Sequence, residues 1–220
     1  MPRLKVGVLI SGRGSNLQAL IDAASKPDYP AEIVTVISNR DDAFGLRRAA
    51  DAGIAAHVIA DPDRAAFAVA ANRLLRAARV ELVALAGFMR ILDTAFVEAW
   101  RDRMVNIHPS LLPAFPGRHP QRQALAAGVK FSGCTVHFMR AAVDTGPIIA
   151  QAVVPVLDGD DEDRLADRIL AAEHRLYPDA VRLFAEERLR IDGNRVVVSG
   201  AVAPDAVLFN PSGPFASRGG

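Results

Sequence analysis

The chain has 220 residues, half of them hydrophobic, and a formal net charge of +1, enough for one sizeable core and too neutral to draw nucleic acid or an anionic membrane by charge. Its single cysteine, Cys134, excludes an internal disulfide, and no Cys/His cluster has zinc spacing. There is no run of about 18 apolar residues, and the start of the chain lacks the segments of a signal peptide; the expectation is a cytoplasmic protein acting on small molecules, with no nucleic-acid or membrane partner, as a monomer or homodimer.

Residues 4–10 read as a buried strand. They run into Ser11-Gly12-Arg13-Gly14-Ser15-Asn16 and then into a helix over 15–24. A glycine loop between a strand and a helix presents backbone N–H groups and a positive helix end to an anion. A dinucleotide fingerprint would need glycine where Leu17 stands and an acid at the end of the second strand, where Ser38-Asn39-Arg40 stands. A single phosphate or phosphosugar fits better; the alternative is a tight turn with Ser15 or Asn16 as N-cap. A strand at 32–38, a helix at 43–52, a strand at 55–59, a helix at 64–79 and a strand at 81–86 follow. This alternation predicts a Rossmann-like α/β fold, a mostly parallel sheet flanked by helices.

A short strand at 103–105 leads to Asn106-Ile107-His108-Pro109-Ser110-Leu111-Leu112-Pro113. In extended backbone, residues two apart face one side, so the Asn106 carboxamide and the His108 imidazole share a space. Pro109 biases His108 toward that extended state. A hydrogen-bond donor beside a titratable base suits carbonyl chemistry; taken alone, the segment also reads as a proline-rich turn with a surface histidine. Strands at 131–139 and 148–156 form a mixed or antiparallel portion. Between them lies Ala142-Val143-Asp144-Thr145-Gly146-Pro147, where Asp144 is the candidate partner for His108 or part of an ordinary turn. His57, His119, His137 and His174 read as mostly structural or surface residues.

The acidic run at 158–163 precedes a long helix with Leu165, Ile169, Ala172 and Leu176 as its buried stripe. Pro178 is expected to kink or split it. Residues 196–198 are expected as an edge strand and 204–220 as a frayed tail. The expected organisation is one domain over 1–203, with a phosphate-binding half at 1–100 and a catalytic half at 101–203.

Six segments, in order, carry a resemblance. They are Ile10-Ser11-Gly12-Arg13-Gly14-Ser15-Asn16-Leu17-Gln18-Ala19, Leu85-Ala86-Gly87-Phe88-Met89-Arg90-Ile91-Leu92, the Asn106 to Pro113 segment, Gly133-Cys134-Thr135-Val136-His137-Phe138, Val143-Asp144-Thr145-Gly146-Pro147-Ile148-Ile149 and Glu173-His174. Together they resemble the folate-dependent phosphoribosylglycinamide formyltransferase family over roughly positions 4–190. The resemblance implies the formyltransferase fold and transfer of a formyl group from 10-formyltetrahydrofolate, a co-substrate, to the amine of 5'-phosphoribosylglycinamide (GAR) in purine synthesis, with no metal. It implies that Asn106, His108 and Asp144 are catalytic and that Gly14, Ser15, Asn16 and Glu173 bind GAR. It places Arg64, Met89, Arg90, Ile91, Leu92, Asn106, Arg140, Ala141, Val143 and Asp144 at the folate.

Two departures touch substrate contacts: Gln121 stands where the family has a histidine, and Leu170-Ala171-Ala172 lacks a common glutamine. Formyltetrahydrofolate hydrolases and methionyl-tRNA formyltransferases share the histidine and aspartate loops. They carry an additional domain for which this length is expected to leave no room. A non-catalytic phosphosugar-binding regulator would keep the Gly14 loop but would not need Asn106 and His108 together.

Overall fold

Strands that are apolar on both faces can exist only between two layers of helix, and Val8, Leu9, Ile10, Leu82, Val83 and Ala84 are fully sealed from solvent. A computed structural model describes residues 2–202 and 207–211. The chain runs β1 (Leu4–Ile10), α1 (Ser15–Ala24), β2 (Ala31–Ser38), α2 (Phe44–Asp51), β3 (Ala56–Val58), α3 (Arg64–Ala77), β4 (Leu82–Leu85), α4 (Thr94–Ala99) and β5 (Met104–His108). It continues with α5 (Pro120–Ala126), β6 (Phe131–Phe138), β7 (Ile148–Pro155), α6 (Glu162–Ala185), β8 (Leu189–Asp192) and β9 (Arg195–Val198).

The strands form one nine-stranded sheet in the order β3-β2-β1-β4-β5-β6-β7-β9-β8. Pairings among β1 to β5 are parallel. β6 pairs antiparallel with β5 and with β7, and β8 and β9 form an antiparallel hairpin that joins β7 through β9. One core, with Leu17, Leu20, Leu165, Ile169 and Tyr177, packs α1 and α6 on one face. A second, with Phe67, Leu75, Phe96 and Trp100, packs α3 and α4 on the other. Among the described residues no helix is long and apolar enough to cross a membrane.

Several local expectations change. α1 starts behind Gly14 in the left-handed region (φ 68°), with no side-chain cap, so neither Ser15 nor Asn16 is its N-cap. β5 extends to His108, which places Asn106 and His108 on the strand rather than after it. α4 and α5 escape a periodicity reading because six and seven residues show barely two turns. α6 is one helix across Pro178, whose carbonyl accepts from the Tyr29 hydroxyl at 2.7 Å. Its stripe is Leu165, Ile169, Glu173, Tyr177 and Val181, while Ala172 and Leu176 are only partly buried. β8 was not anticipated, and it, not β9, is the sheet edge. Part of the expected tail is held: Asn210 donates to the carbonyls of Lys130 and Val156. Residues 204–206 and 212–220 lie outside the described residues.

The fully buried Tyr177 hydroxyl of α6 reaches the Leu85 carbonyl at 2.9 Å and that of Val105 at 3.3 Å, pinning the helix to β4 and β5. Tyr177→Phe should lower unfolding stability by about 1–2 kcal/mol, the usual effect of a lost buried hydrogen bond. In urea this appears as a lower midpoint at unchanged slope; an unmoved midpoint would mean the hydroxyl contributes nothing.

Candidate active site

In the sheet order, β1 connects outward through β2 to β3, while β4 and β5 lie on its other side. This reversal opens a crevice at the carboxyl ends of β1 and β4, the usual ligand position in such sheets. Ser11 bridges the crevice: its hydroxyl donates to Asn39 Oδ1 and accepts the Met89 N–H at 2.8 Å. The glycine loop and the segment after β4 are thereby fixed to each other. Ser11 was not among the expected site residues, since a serine after a strand carries no distinguishing pattern.

Gly14 sits in the left-handed region, and a Cβ there would meet Gly45 Cα at 2.6 Å. Beside the expected reason for this glycine, room for a phosphate, stands a structural one: two backbones cross at Gly14 and Gly45. A bulky side chain at 14 would disturb folding before it disturbed binding. Ser15 opens α1 and is partly exposed. Asn16 turns inward, and its Nδ2 donates to Glu173 Oε2 at 2.8 Å. Both residues are buried, and Asn16 Oδ1 has no partner among the described residues. Burial pushes the Glu173 carboxyl up to about 7, against the lowering effect of the Asn16 hydrogen bond.

The second cluster lies on β5, β6 and the loops beyond. Asn106 pairs in register with His137, and His108 with Thr135. Adjacent Val105 and Ile107 face the α1–α6 core, so by alternation Asn106 and His108 share the opposite face. His108 Nδ1 lies 3.4 Å from Asp144 Oδ2, and its Nε2 lies 3.0 Å from the Phe115 carbonyl. Both ring nitrogens thus face oxygen atoms. Asp144 Oδ2 also accepts the Gly117 N–H at 2.8 Å. Asn106 Nδ2 is 3.3 Å from His137 Nε2, which is 3.7 Å from Asp144 Oδ1. His137 is completely buried and belongs to this cluster, so of the two expected alternatives, structural or surface, the surface one does not hold. Its antiparallel register with Asn106 could not be read from sequence.

Behind His108, Thr135 Oγ1 donates to the Ser110 carbonyl at 2.7 Å and accepts the Leu112 N–H at 3.0 Å. Gln151 of β7 donates to Thr135 Oγ1 and to the Leu112 carbonyl, each at 2.9 Å. These side chains clamp the turn after the histidine, and none was expected. Burial pushes the Cys134 thiol up to about 12, so it is no thiolate nucleophile at neutral pH.

The expected folate residues divide by environment. Met89 (80% exposed), Ile91 and Val143 present apolar surface to solvent; Leu92 is partly buried and Ala141 exposed. Arg90 donates to the carbonyls of Asp61 and Pro62 and lies over the Phe67 ring. Arg140 is engaged by Asp102 at 2.7 Å, and Arg64 is the exposed first residue of α3. The first two guanidinium groups are occupied within the protein. Gln121 lies in the first turn of α5, and Leu170 to Ala172 lie on α6. Among the described residues no group of His, Cys, Asp and Glu is arranged to hold a metal ion.

Residues 4–181 match the formyl transferase family. The chain is 57% identical over 194 residues to the trifunctional purine biosynthetic protein adenosine-3 of Drosophila pseudoobscura pseudoobscura, covering 86% of this chain but only 14% of that protein. It is 44% identical over 204 residues to the phosphoribosylglycinamide formyltransferase of Escherichia coli (strain K12), covering 91% of this chain and 96% of the relative. It superposes on the crystal structure of glycinamide ribonucleotide transformylase 1 from Symbiobacterium toebii with TM-score 0.87 and 54% identity, covering 89% of this chain and 94% of the other.

The Glu173 environment sets a pH dependence. The unfolded chain releases this proton near the ordinary value of about 4.3, whereas the folded protein holds it to about 7. Between these values the native state binds more protons, so the contribution of Glu173 to stability falls as pH rises and is constant above the window. Glu173→Gln removes the titration. Its stability relative to the parent should rise by at most about 1.4 kcal/mol per pH unit through that window and then level off. Urea unfolding from pH 4.5 to 8 measures the gap; a pH-independent gap would refute the raised value.

Proposed function

The chain belongs to the formyl transferase family, and we propose that it transfers the formyl group of 10-formyltetrahydrofolate to the amine of GAR, giving formyl-GAR and tetrahydrofolate. One observation carries the reading: His108 meets Asp144 at 3.4 Å, and Asn106 joins them through the His137 ring, in one cluster at the end of β5. The relative matched over 96% of its length is named for this activity. The setting this implies is a cytoplasmic enzyme whose catalytic domain spans 1–203.

In this reaction the GAR amine attacks the formyl carbon and the carbonyl electrons move onto its oxygen. The bond from that carbon to N10 then breaks, and the proton lost by the amine goes to N10. Asn106 donates an N–H to the developing oxyanion. His108 supplies a second donor once its Nε2 exchanges the Phe115 carbonyl for that oxyanion. Asp144 orients the ring and balances its charge. One preorganised donor of this kind is worth about 3 kcal/mol, or about a hundredfold in rate.

The backbone N–H groups at the start of α1 suit the GAR phosphate, and the Asn16–Glu173 pair suits its ribose hydroxyls. Met89, Ile91 and Val143 offer the apolar surface a flat pterin requires. Arg90 and Arg140 then shape the folate site rather than pairing with it.

Purified protein given GAR and 10-formyltetrahydrofolate should produce tetrahydrofolate only when both are present, followed by folate absorbance. Turnover without GAR would identify a hydrolase instead, and no turnover would refute catalysis. Asp144→Asn, nearly isosteric, should lower kcat about a hundredfold with both KM values little changed. Asn106→Ala and His108→Ala should lose similar amounts, and the double variant far less than their product. Near-normal turnover in His108→Ala would remove this ring from the mechanism.

Ile91→Asp should weaken a folate analogue without unfolding the protein, because it places a charge on the apolar surface proposed for the pterin. Calorimetric titration that returns the parental affinity would move the folate elsewhere.

A further inference from the structure

We infer that His137 is a positioning residue that orients the Asn106 carboxamide, holding its nitrogen end toward the ring so that the second N–H is available to a ligand oxygen. The kinetic part of this inference rests on the formyl-transfer reading; the structural part does not.

His137 stands directly across from Asn106 on β6 and is completely buried. Its Nδ1 lies 3.0 Å from the Phe138 carbonyl. A carbonyl oxygen only accepts, so Nδ1 carries the proton and Nε2 of the neutral ring keeps a lone pair. Asn106 Nδ2 is 3.3 Å from that lone pair. A carboxamide rotated by half a turn occupies nearly the same volume, so shape alone does not choose between its two ends. The Nε2 lone pair does choose, because the amide oxygen in that place would set lone pair against lone pair.

The charged and titratable groups facing the ring are Asp144, at 3.7 Å, and His108. Asp144 favours the protonated ring, while His108 and above all burial oppose it, and the net direction is toward the neutral form. Protonation would turn Nε2 into a donor. The Asn106 oxygen would then rotate inward, withdrawing the N–H from the site, and Asp144 would be drawn away from His108.

Two measurements test this. Imidazole 15N shifts of the full-length wild-type protein at neutral pH should show His137 protonated at Nδ1 and unprotonated at Nε2. The opposite tautomer or an imidazolium overturns the inference, whatever the protein's activity. In kinetics, His137→Phe should lower kcat about tenfold or more with both KM values within about twofold. His137→Gln, whose Oε1 can accept from Asn106, should recover most of that loss. In an Asn106→Ala background His137→Phe should cost nothing further. Equal losses in the two backgrounds would reduce His137 to packing and overturn the inference. If His137→Phe does not fold, the 15N shifts and the His137→Gln comparison decide. If the wild-type protein does not formylate GAR, the formyl-transfer reading fails while the tautomer measurement stands.

Discussion

The site is organised around a single carboxylate. Asp144 has a side chain only 8% exposed, accepts the Gly117 N–H, and faces His108 and His137 with its two oxygens. A buried carboxylate is tolerable only when its lone pairs are met, and those that meet it come from the β5–α5 loop, from β5 and from β6. The same contacts therefore satisfy a charge and tie three segments into one shape. Gly146 makes the approach feasible: a Cβ there would lie 1.6 Å from the Phe138 carbonyl, so only glycine lets this loop return against the end of β6. The chemistry of residue 144 and the absence of a side chain at 146 are one requirement.

A second polar pair stands on the other side of the sheet. Asn16 and Glu173 join α1 to α6, on the face opposite Asn106 and His108. Between the two lies the carboxyl edge of β1, β4 and β5, where Ser11 ties the glycine loop to Met89. On the formyl-transfer reading the phosphoribosyl substrate comes from the α1–α6 side and the folate from the side of the β4 loop, and the reacting atoms meet above the edge. The topology separates two recognition problems onto two faces and leaves the chemistry to the rim.

Much of this was legible in the residues. The parallel half announced itself through continuous apolar strands alternating with periodic helices, and the extended geometry of Asn106 and His108 correctly put their side chains on one face. What could not be read was register. Nothing in Gly133-Cys134-Thr135-Val136-His137 says that residue 137 sits opposite 106, and from that pairing follow both the burial of His137 and the clamp of Thr135 on the following turn. The proline in α6 does not split the helix, for a related reason: local propensity favours a break, but Tyr177 and Pro178 are buried and tertiary packing prevails. At Gly14 a second reason for glycine was not legible, because its neighbour Gly45 is distant in sequence.

The backbone around the site carries a further regularity. Phe115, His119 and Asp144 have φ of 54°, 56° and 55°, and Gly117 has 78°. Left-handed backbone costs a residue with a Cβ about 1–2 kcal/mol, so three such residues in two adjoining loops need compensation. Each has an identifiable one: Phe115 gives its carbonyl to His108, the His119 carbonyl accepts the Gln123 N–H at 3.1 Å in the first turn of α5, and Asp144 holds the cluster just described. Such strain persists where surrounding structure over-determines the loop, and here the surroundings are a sheet buried on both faces. The rigidity that positions the donors thus originates in strands that contain none of the loop residues. That division explains why these loops can keep a shape their own propensities disfavour.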